Sequence, residues 1–126
     1  MRLLLDTHVL LWWLTSERLS ARAKAAISAA DSNSWVSTAT VWELSIKERL
    51  GKISVGGPFL PFVEGALEGI ELLDIRLLHV ERGHDLPPIH RDPFDRIIVA
   101  QAFSEGFTLL TVDQALAAYG VKILSA

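Results

Sequence analysis

Four acidic residues stand where their carboxylates could act together. Asp6 and Asp113 each follow a short apolar run, and Glu43 and Asp95 lie in the first turns of two predicted helices. Ionised carboxylates that converge repel one another, so they either hold protons or bind a hard cation. The chain has no cysteine, which excludes thiolate catalysis and zinc–thiolate sites. Oxygen ligands alone predict Mg²⁺ or Mn²⁺ and, with it, metal-assisted hydrolysis of a phosphodiester.

Asp95 belongs to a segment with the features of a helix start. Asp92 suits the N-cap, and Pro93 suits the first helical position, where its missing N–H costs nothing. At about 100° per residue, Asp95 falls within an apolar stripe. That stripe contains Ile98, Val99, Ala102 and Phe103. The helix dipole favours an acid in the first turn but does not explain an inward face, where a lone charge needs a partner or a cation.

Each of the other acids also has a purely structural interpretation. Asp6 and Asp113 could cap the helices that follow them, and Glu43 could complete a capping box that begins at Thr40. These interpretations do not explain why the acids map to one edge of the predicted sheet. They also leave unexplained the apolar helix face of Glu43, which is shared with Ala39, Ile46 and Leu50.

Polar residues next to the acids are secondary candidates for the site. Thr7, Thr38 and Thr111 could tune the carboxylates through hydroxyl hydrogen bonds, although capping or strand-end roles are equally expected. Asp92 could join the metal ligands, but the N-cap role is favoured.

Basic residues and one histidine are weaker candidates. Arg96 could contact a phosphate, although a solvated helix face is the default interpretation. Lys47, Arg49 and Lys52 could guide a nucleic-acid backbone or form an ordinary charged face. His90 could lie near the site, although a role on a loop surface is favoured.

The elements that must position these residues alternate along the chain. Apolar runs predict strands at residues 2–5, 35–37, 70–75, 107–112 and 121–124. Helical spacing, caps and glycine stops predict helices at residues 8–14, 20–30, 38–50, 58–69, 77–86, 93–105 and 113–119, with turns at 16–19 and 31–34. Alternating strands and helices predict an α/β fold with a parallel sheet covered on both faces. Ligands of such sheets bind beyond the carboxyl ends of the strands.

Length and composition limit the class of protein. The 126 residues, half of them hydrophobic, predict a single domain over residues 1–126. The net charge of −3 gives no overall footprint for nucleic acid, although clustered acids could mask a local basic patch. Asp6 and His8 interrupt the first apolar run, so we expect neither a signal peptide nor a membrane span, and a cytoplasmic location. Of Trp12 and Trp13, we expect one in the core and one at an interface.

Four segments together resemble the PIN domains, most of all the VapC toxins of type II toxin–antitoxin pairs. They are Leu3–His8, the pattern Ser37-x-x-Thr40-x-Trp42-Glu43, Asp92–Ala102 and Leu110–Asp113. The resemblance extends from Arg2 to about Leu124, nearly the whole chain.

The resemblance implies a fold, an activity and partners. The fold is a three-layer α/β structure with a five-stranded parallel sheet in the order 3-2-1-4-5. The activity is that of a Mg²⁺- or Mn²⁺-dependent ribonuclease, with its acidic site at Asp6, Glu43, Asp95 and Asp113. The partners are a second copy in a homodimer and a VapB-type antitoxin that covers or invades the site. Val112 is a departure, because many relatives have asparagine before the last acid.

Other classes of protein fit less well. A phosphatase of the haloacid dehalogenase type needs an aspartate at the position of His8, and a receiver domain needs a lysine after a late strand, whereas Lys122 lies inside one. Two alternatives stay open. One is a PIN domain that serves in RNA processing, and the other is a non-catalytic binding module that keeps the acids as caps and binds partners through Trp12 and Trp13.

Overall fold

A parallel β-sheet forms the centre of the protein. The computed structural model describes residues 1–15, 18–30 and 32–126. Its strands are β1 (Arg2–Leu5), β2 (Asn33–Ser37), β3 (Glu71–Leu73), β4 (Thr108–Thr111) and β5 (Ile123–Ser125). All neighbouring strands are parallel, and their order β3-β2-β1-β4-β5 confirms the predicted topology.

Helices occupy the connections between the strands. They are α1 (Thr7–Thr15), α2 (Ala21–Ser28), α3 (Thr38–Arg49), α4 (Phe59–Ala66), α5 (Leu77–Asp85) and α6 (Pro93–Glu105), and a 3₁₀ helix spans Gln114–Tyr119. The last was predicted to be an α-helix. Its segment is only six residues long, between the cap Asp113 and the left-handed Gly120 (φ 84°), and such short segments favour the tighter 3₁₀ turn.

Several predicted bounds differ from the structure. Strand β2 begins at Asn33, inside the predicted turn, and β5 begins at Ile123, so Lys122 precedes the last strand. Helix α2 ends at Ser28 because Ala29 is extended, with φ −60° and ψ 136°. Helix α4 ends at Ala66, and strand β3 is confined to Glu71–Leu73 after the left-handed Gly69 (φ 77°) turns the chain. Of the predicted turns at 16–19 and 31–34, residues 16, 17 and 31 lie outside the described residues.

The core lies on both faces of the sheet because side chains alternate along each strand. Leu3 and Leu5 of β1 pack with residues of α1, α2, α3 and α4 on one face. Leu4 packs with residues of α6 and the 3₁₀ helix on the other. Trp12 and Trp13 are both half-buried against the first cluster, so neither is a fully buried core residue as one was expected to be.

The carboxyl ends of three strands meet at one edge of the sheet. Leu5 pairs with Val36 of β2 and with Leu110 of β4. The next residues, Asp6, Ser37 and Thr111, therefore lie side by side at this edge, which we call the carboxyl rim. Within the described part of the chain, no helix is long and apolar enough to cross a bilayer.

Candidate active site

Asp6 leaves β1 at the carboxyl rim and is almost fully buried. Its Oδ1 accepts a hydrogen bond from the Val9 N–H (3.0 Å), so the carboxylate caps α1 as one interpretation predicted. Its Oδ2 accepts from the Thr111 hydroxyl on β4. Burial raises the pKa of Asp6, and the hydrogen bonds from Thr111 and Val9 oppose that shift. The cap interpretation and the site interpretation are thus compatible for this residue.

Glu43 enters the rim from α3. The N-cap of α3 is Ser37, whose side chain accepts from the Ala39 N–H, so the capping box predicted to begin at Thr40 is wrong. Glu43 instead accepts a hydrogen bond at Oε1 from the Thr7 hydroxyl (2.6 Å), and its Oε2 lies 3.1 Å from Lys47 Nζ. The carboxylate is therefore bound by one neutral donor and one cation.

Asp95 is held by the start of α6. The Asp92 side chain accepts from the Phe94 N–H (2.8 Å), which confirms the predicted N-cap and leaves Asp95 half-buried one turn later. Burial and the charge of Asp92 raise the pKa of Asp95 to about 6. The carboxylates of Glu43 and Asp113 contribute smaller parts of this rise, and His90 opposes it.

Asp113 follows β4 and caps the 3₁₀ helix, accepting from the Ala115 N–H at 3.0 Å. Its own N–H donates to the Thr111 hydroxyl (3.0 Å), and its Oδ2 lies 3.0 Å from His90 Nε2. Because these contacts orient Asp113, its placement does not depend on the side chain at position 112, where Val112 is partly exposed.

The structure brings some of the predicted acids closer together than others. Among the described residues, one group of three candidate ligands has donor atoms within 4.8 Å of one another: His90, Asp95 and Asp113. Asp6 and Glu43 lie outside that group, since their oxygens are turned toward the hydroxyls of Thr111 and Thr7. Two predicted acids are thus adjacent, and the other two are held at the rim by threonines.

The predicted hydroxyl contacts are present at Thr7 and Thr111 but not at Thr38. Thr111 links two acids, since it donates to Asp6 and accepts from the Asp113 N–H. Thr38 instead accepts a hydrogen bond from the Ile75 N–H (3.3 Å), so it connects the start of α3 to the segment that follows β3.

Arg96 is not the solvated helix residue that the sequence predicted. Its half-buried guanidinium donates to the backbone carbonyls of Pro87 (2.8 Å), Gly83 (2.9 Å) and Leu86 (3.0 Å). Because these carbonyls belong to the end of α5 and the loop after it, Arg96 fixes the path of that loop. The loop continues into His90 and Asp92.

His90 is the site residue that the sequence indicated least well. It was expected on a loop surface, but its side chain is only 17% exposed and its ring lies against Asp113 and Tyr119. The available signal in the sequence was that His90 lies two residues before Asp92, the N-cap of the helix that carries Asp95. Scattered histidine spacing could not reveal this, because the contact depends on the tertiary path of the loop.

A divalent cation fits the donors at this rim. Asp95 and Asp113 offer carboxylate oxygens and His90 offers a ring nitrogen, within a few ångströms of one another. Burial, together with the carboxylates of Asp92, Glu43 and Asp113, raises the pKa of Asp95, and a cation bound beside it favours the ionised form. Of the basic residues predicted to form a charged face, Lys47 contacts an acid of the rim, while Arg49 and Lys52 are exposed.

Comparison with known protein families adds an independent finding. The family model described as PIN domain matches residues 3–122. Over 115 residues the chain is 32% identical to Ribonuclease VapC22 of Mycobacterium tuberculosis, and the alignment covers 90% of this chain and 88% of that protein.

Solved structures with the same fold are also similar over nearly the full chain. VapBC2 from Rickettsia felis, solved with a DNA fragment from its promoter, superposes with a TM-score of 0.78 at 15% identity and covers 99% of this chain and 98% of that one. DNA-bound VapBC from Salmonella typhimurium gives a TM-score of 0.75 at 19% identity, with the same coverage. At identities below 25%, these superpositions establish a shared fold alone.

Proposed function

This chain belongs to the PIN domain family, and from that premise we propose that it is a metal-dependent endoribonuclease that acts as a VapC-type toxin. It hydrolyses phosphodiester bonds of RNA in the cytoplasm, and a small VapB-type antitoxin neutralises it. The observation that carries this proposal is the pairing of Asp95 with Asp113 at the carboxyl rim, where Asp6 and Glu43 are also held. The relative that is 32% identical is itself named a ribonuclease, which supports the reaction class.

We assign the binding of Mg²⁺ or Mn²⁺ to Asp6, Glu43, Asp95 and Asp113. When bound, such a cation provides a water of lowered pKa and offsets the charge of phosphoryl oxygens. The protein orients its ligands through hydroxyls, since Thr111 holds Asp6 and Thr7 holds Glu43.

Lys47 supplies positive charge beside these ligands. Its Nζ lies 3.1 Å from Glu43, where a phosphate of the RNA backbone would enter. We assign to Lys47 a contact with that phosphate.

The same acids explain how an antitoxin can inhibit. A VapB-type protein that places a cationic segment over the carboxyl rim satisfies the carboxylates and excludes RNA together. The adjacent carboxylates of Asp95 and Asp113 favour a basic partner segment at this edge.

An apolar surface next to the rim suits a second copy of the chain. It is formed by Trp42, Ile75, Val80 and Phe94, and we call it the Trp42 face. Trp42 is 62% exposed and packs edge-on against Phe94, at 5.3 Å between ring centroids. Exposed apolar side chains of this size that adjoin one another mark an interaction surface. We propose that a homodimer covers this face, as the resemblance to VapC toxins implies.

Growth tests the toxin role. We expect that expression of the intact chain in its own host, without its antitoxin, stops growth. Expression of Asp95→Asn at an equal protein level should leave growth unchanged, and Asp85→Asn, which removes an exposed carboxylate on α5, should still stop it. Normal growth with the intact chain would favour a PIN domain of RNA processing or a binding module.

A further inference from the structure

His90 is placed at the carboxyl rim like a metal ligand. Its Nε2 lies 3.0 Å from Asp113 Oδ2, and both atoms lie within 4.8 Å of an oxygen of Asp95. Two ligands that bind an ion at right angles, each at about 2.1 Å, are about 3.0 Å apart. The separation of the imidazole nitrogen and the carboxylate oxygen therefore matches two adjacent positions around one ion.

Tyr119 supports the imidazole from its other side. The Tyr119 hydroxyl oxygen accepts the His90 backbone N–H (2.7 Å) and lies 3.2 Å from His90 Nδ1. A hydroxyl oxygen has two acceptor lone pairs, so it can also accept a hydrogen bond from an Nδ1–H group. Metal-binding histidines almost always donate their second ring N–H to such a partner, which leaves the other nitrogen free to bind the ion.

The backbone that carries His90 is fixed. Arg96 donates to the carbonyls of Gly83, Leu86 and Pro87, which bind the preceding loop to α6. The cap formed by Asp92 fixes the residues that follow. His90 and Asp95 are thus attached to the start of the same helix, so their separation is set by local structure.

We propose that His90 Nε2 is a metal ligand beside Asp95 and Asp113, which makes this a mixed nitrogen–oxygen site that selects a first-row transition ion such as Mn²⁺ over Mg²⁺. The inference rests on the proposed function for the site itself and adds a ligand and a selectivity to it. Mg²⁺ strongly prefers oxygen ligands and keeps its waters, whereas divalent first-row transition ions accept imidazole more readily.

Mn²⁺ binding without RNA tests this directly. Pulsed electron paramagnetic resonance of Mn²⁺ with the intact chain should show the nitrogen coupling of a bound imidazole. The coupling should vanish in His90→Asn and persist in His84→Asn, a matched control because His84 is exposed and pairs only with Asp85. His90→Asn should weaken Mn²⁺ binding about 10-fold or more, as loss of a metal ligand does, and weaken Mg²⁺ binding much less.

The outcomes separate this inference from the proposed function. Mn²⁺ binding that depends on Asp95 but shows no nitrogen coupling in the intact chain would overturn the inference alone. Equal weakening of Mn²⁺ and Mg²⁺ binding by His90→Asn would also overturn it, because His90 would then act only by orienting Asp113. If Asp95→Asn binds Mn²⁺ as the intact chain does, the proposed metal site fails and the inference fails with it. The coupling is measured on the unaltered chain, so the result does not depend on the folding of a variant.

Discussion

The ionised side chain of Asp95 lowers the stability of the folded protein. Its pKa is raised to about 6 by burial and by nearby acids, above the ordinary value of 3.8. An acid whose pKa is higher in the folded than in the unfolded chain stabilises the fold fully only below the unfolded value. That contribution is lost as pH rises through about 6.

Without metal, Asp95→Asn should therefore be neutral or stabilising above pH 6. Because Asp95 is only half-buried and solvent screens its charge, we expect a gain in unfolding free energy of about 1 kcal/mol or less. Urea unfolding in the presence of a chelator, repeated across this pH range, measures the difference. The difference should shrink toward pH 4, and Asp85→Asn should show none. A loss of stability at pH 7 would mean that Asp95 is a structural helix residue.

Thr111 links Asp6 and Asp113, and its hydroxyl is fully buried. Thr111→Val keeps the shape but leaves the Asp113 N–H and the Asp6 carboxylate without this partner. We expect a loss of about 1–3 kcal/mol in unfolding free energy and about 10-fold or more in RNA cleavage.

Thr111→Ser, which keeps the hydroxyl, is the control and should recover most of the activity. Equal loss in the serine and valine variants would show that packing of the methyl group, and not the hydrogen bonds, is what matters.

Helix α6 and the loop before it form the element that positions half of the site. Arg96 joins them through carbonyls of Gly83, Leu86 and Pro87. A lysine has a single ammonium group and cannot reach these carbonyls together. Arg96→Lys should therefore destabilise the protein by about 1–2 kcal/mol, because two half-buried carbonyls and one exposed carbonyl lose a charged donor.

Hydrogen exchange distinguishes this role from a contact with phosphate. In Arg96→Lys, amides of residues 83–92 should exchange faster, while those of the central strands stay protected relative to global unfolding. Unchanged exchange together with weakened RNA binding would favour the phosphate contact.

The same element shows what sequence can and cannot predict. Asp92 and Pro93 determine where α6 begins, so the position of Asp95 follows from helical geometry. The roles of Arg96 and His90 depend on carbonyls and side chains up to 29 residues away, brought together by the loop path. No local pattern encodes such contacts. The capping box that could have begun at Thr40 is not formed, because Ser37, three residues earlier, is the N-cap of α3.

At the scale of the molecule, apolar runs and their alternation with helices were enough to predict the sheet. The bounds of the three-residue strands β3 and β5 were predicted less well, because hydrogen bonding to the neighbouring strand decides where a strand ends. The exposure of Trp42 could not be predicted, since an aromatic residue within a helix is ordinarily part of a core.

The Trp42 face should hold two copies together. Val80→Lys places a charge on this face at a side chain that is 52% exposed, so the fold should survive while the dimer dissociates. Light scattering coupled to gel filtration should show a dimer for the intact chain and a monomer for the variant. Leu14→Lys, at an α1 leucine that is 39% exposed and lies away from this face, should remain dimeric. A monomeric intact chain would overturn the proposed dimer, and a dimer that Val80→Lys does not affect would place the interface elsewhere.

The central claim is that the acids of the carboxyl rim cleave RNA with a divalent cation. The most direct measurement is cleavage of RNA by the purified chain with Mg²⁺ or Mn²⁺, compared with Asp95→Asn, Asp6→Asn and the surface control Asp85→Asn. We predict metal-dependent cleavage by the intact chain and the control, abolished by chelator, and a loss of about 100-fold or more in each rim variant. Cleavage that persists in Asp95→Asn and Asp6→Asn, or an intact chain that neither cleaves RNA nor binds a divalent ion, would contradict the account.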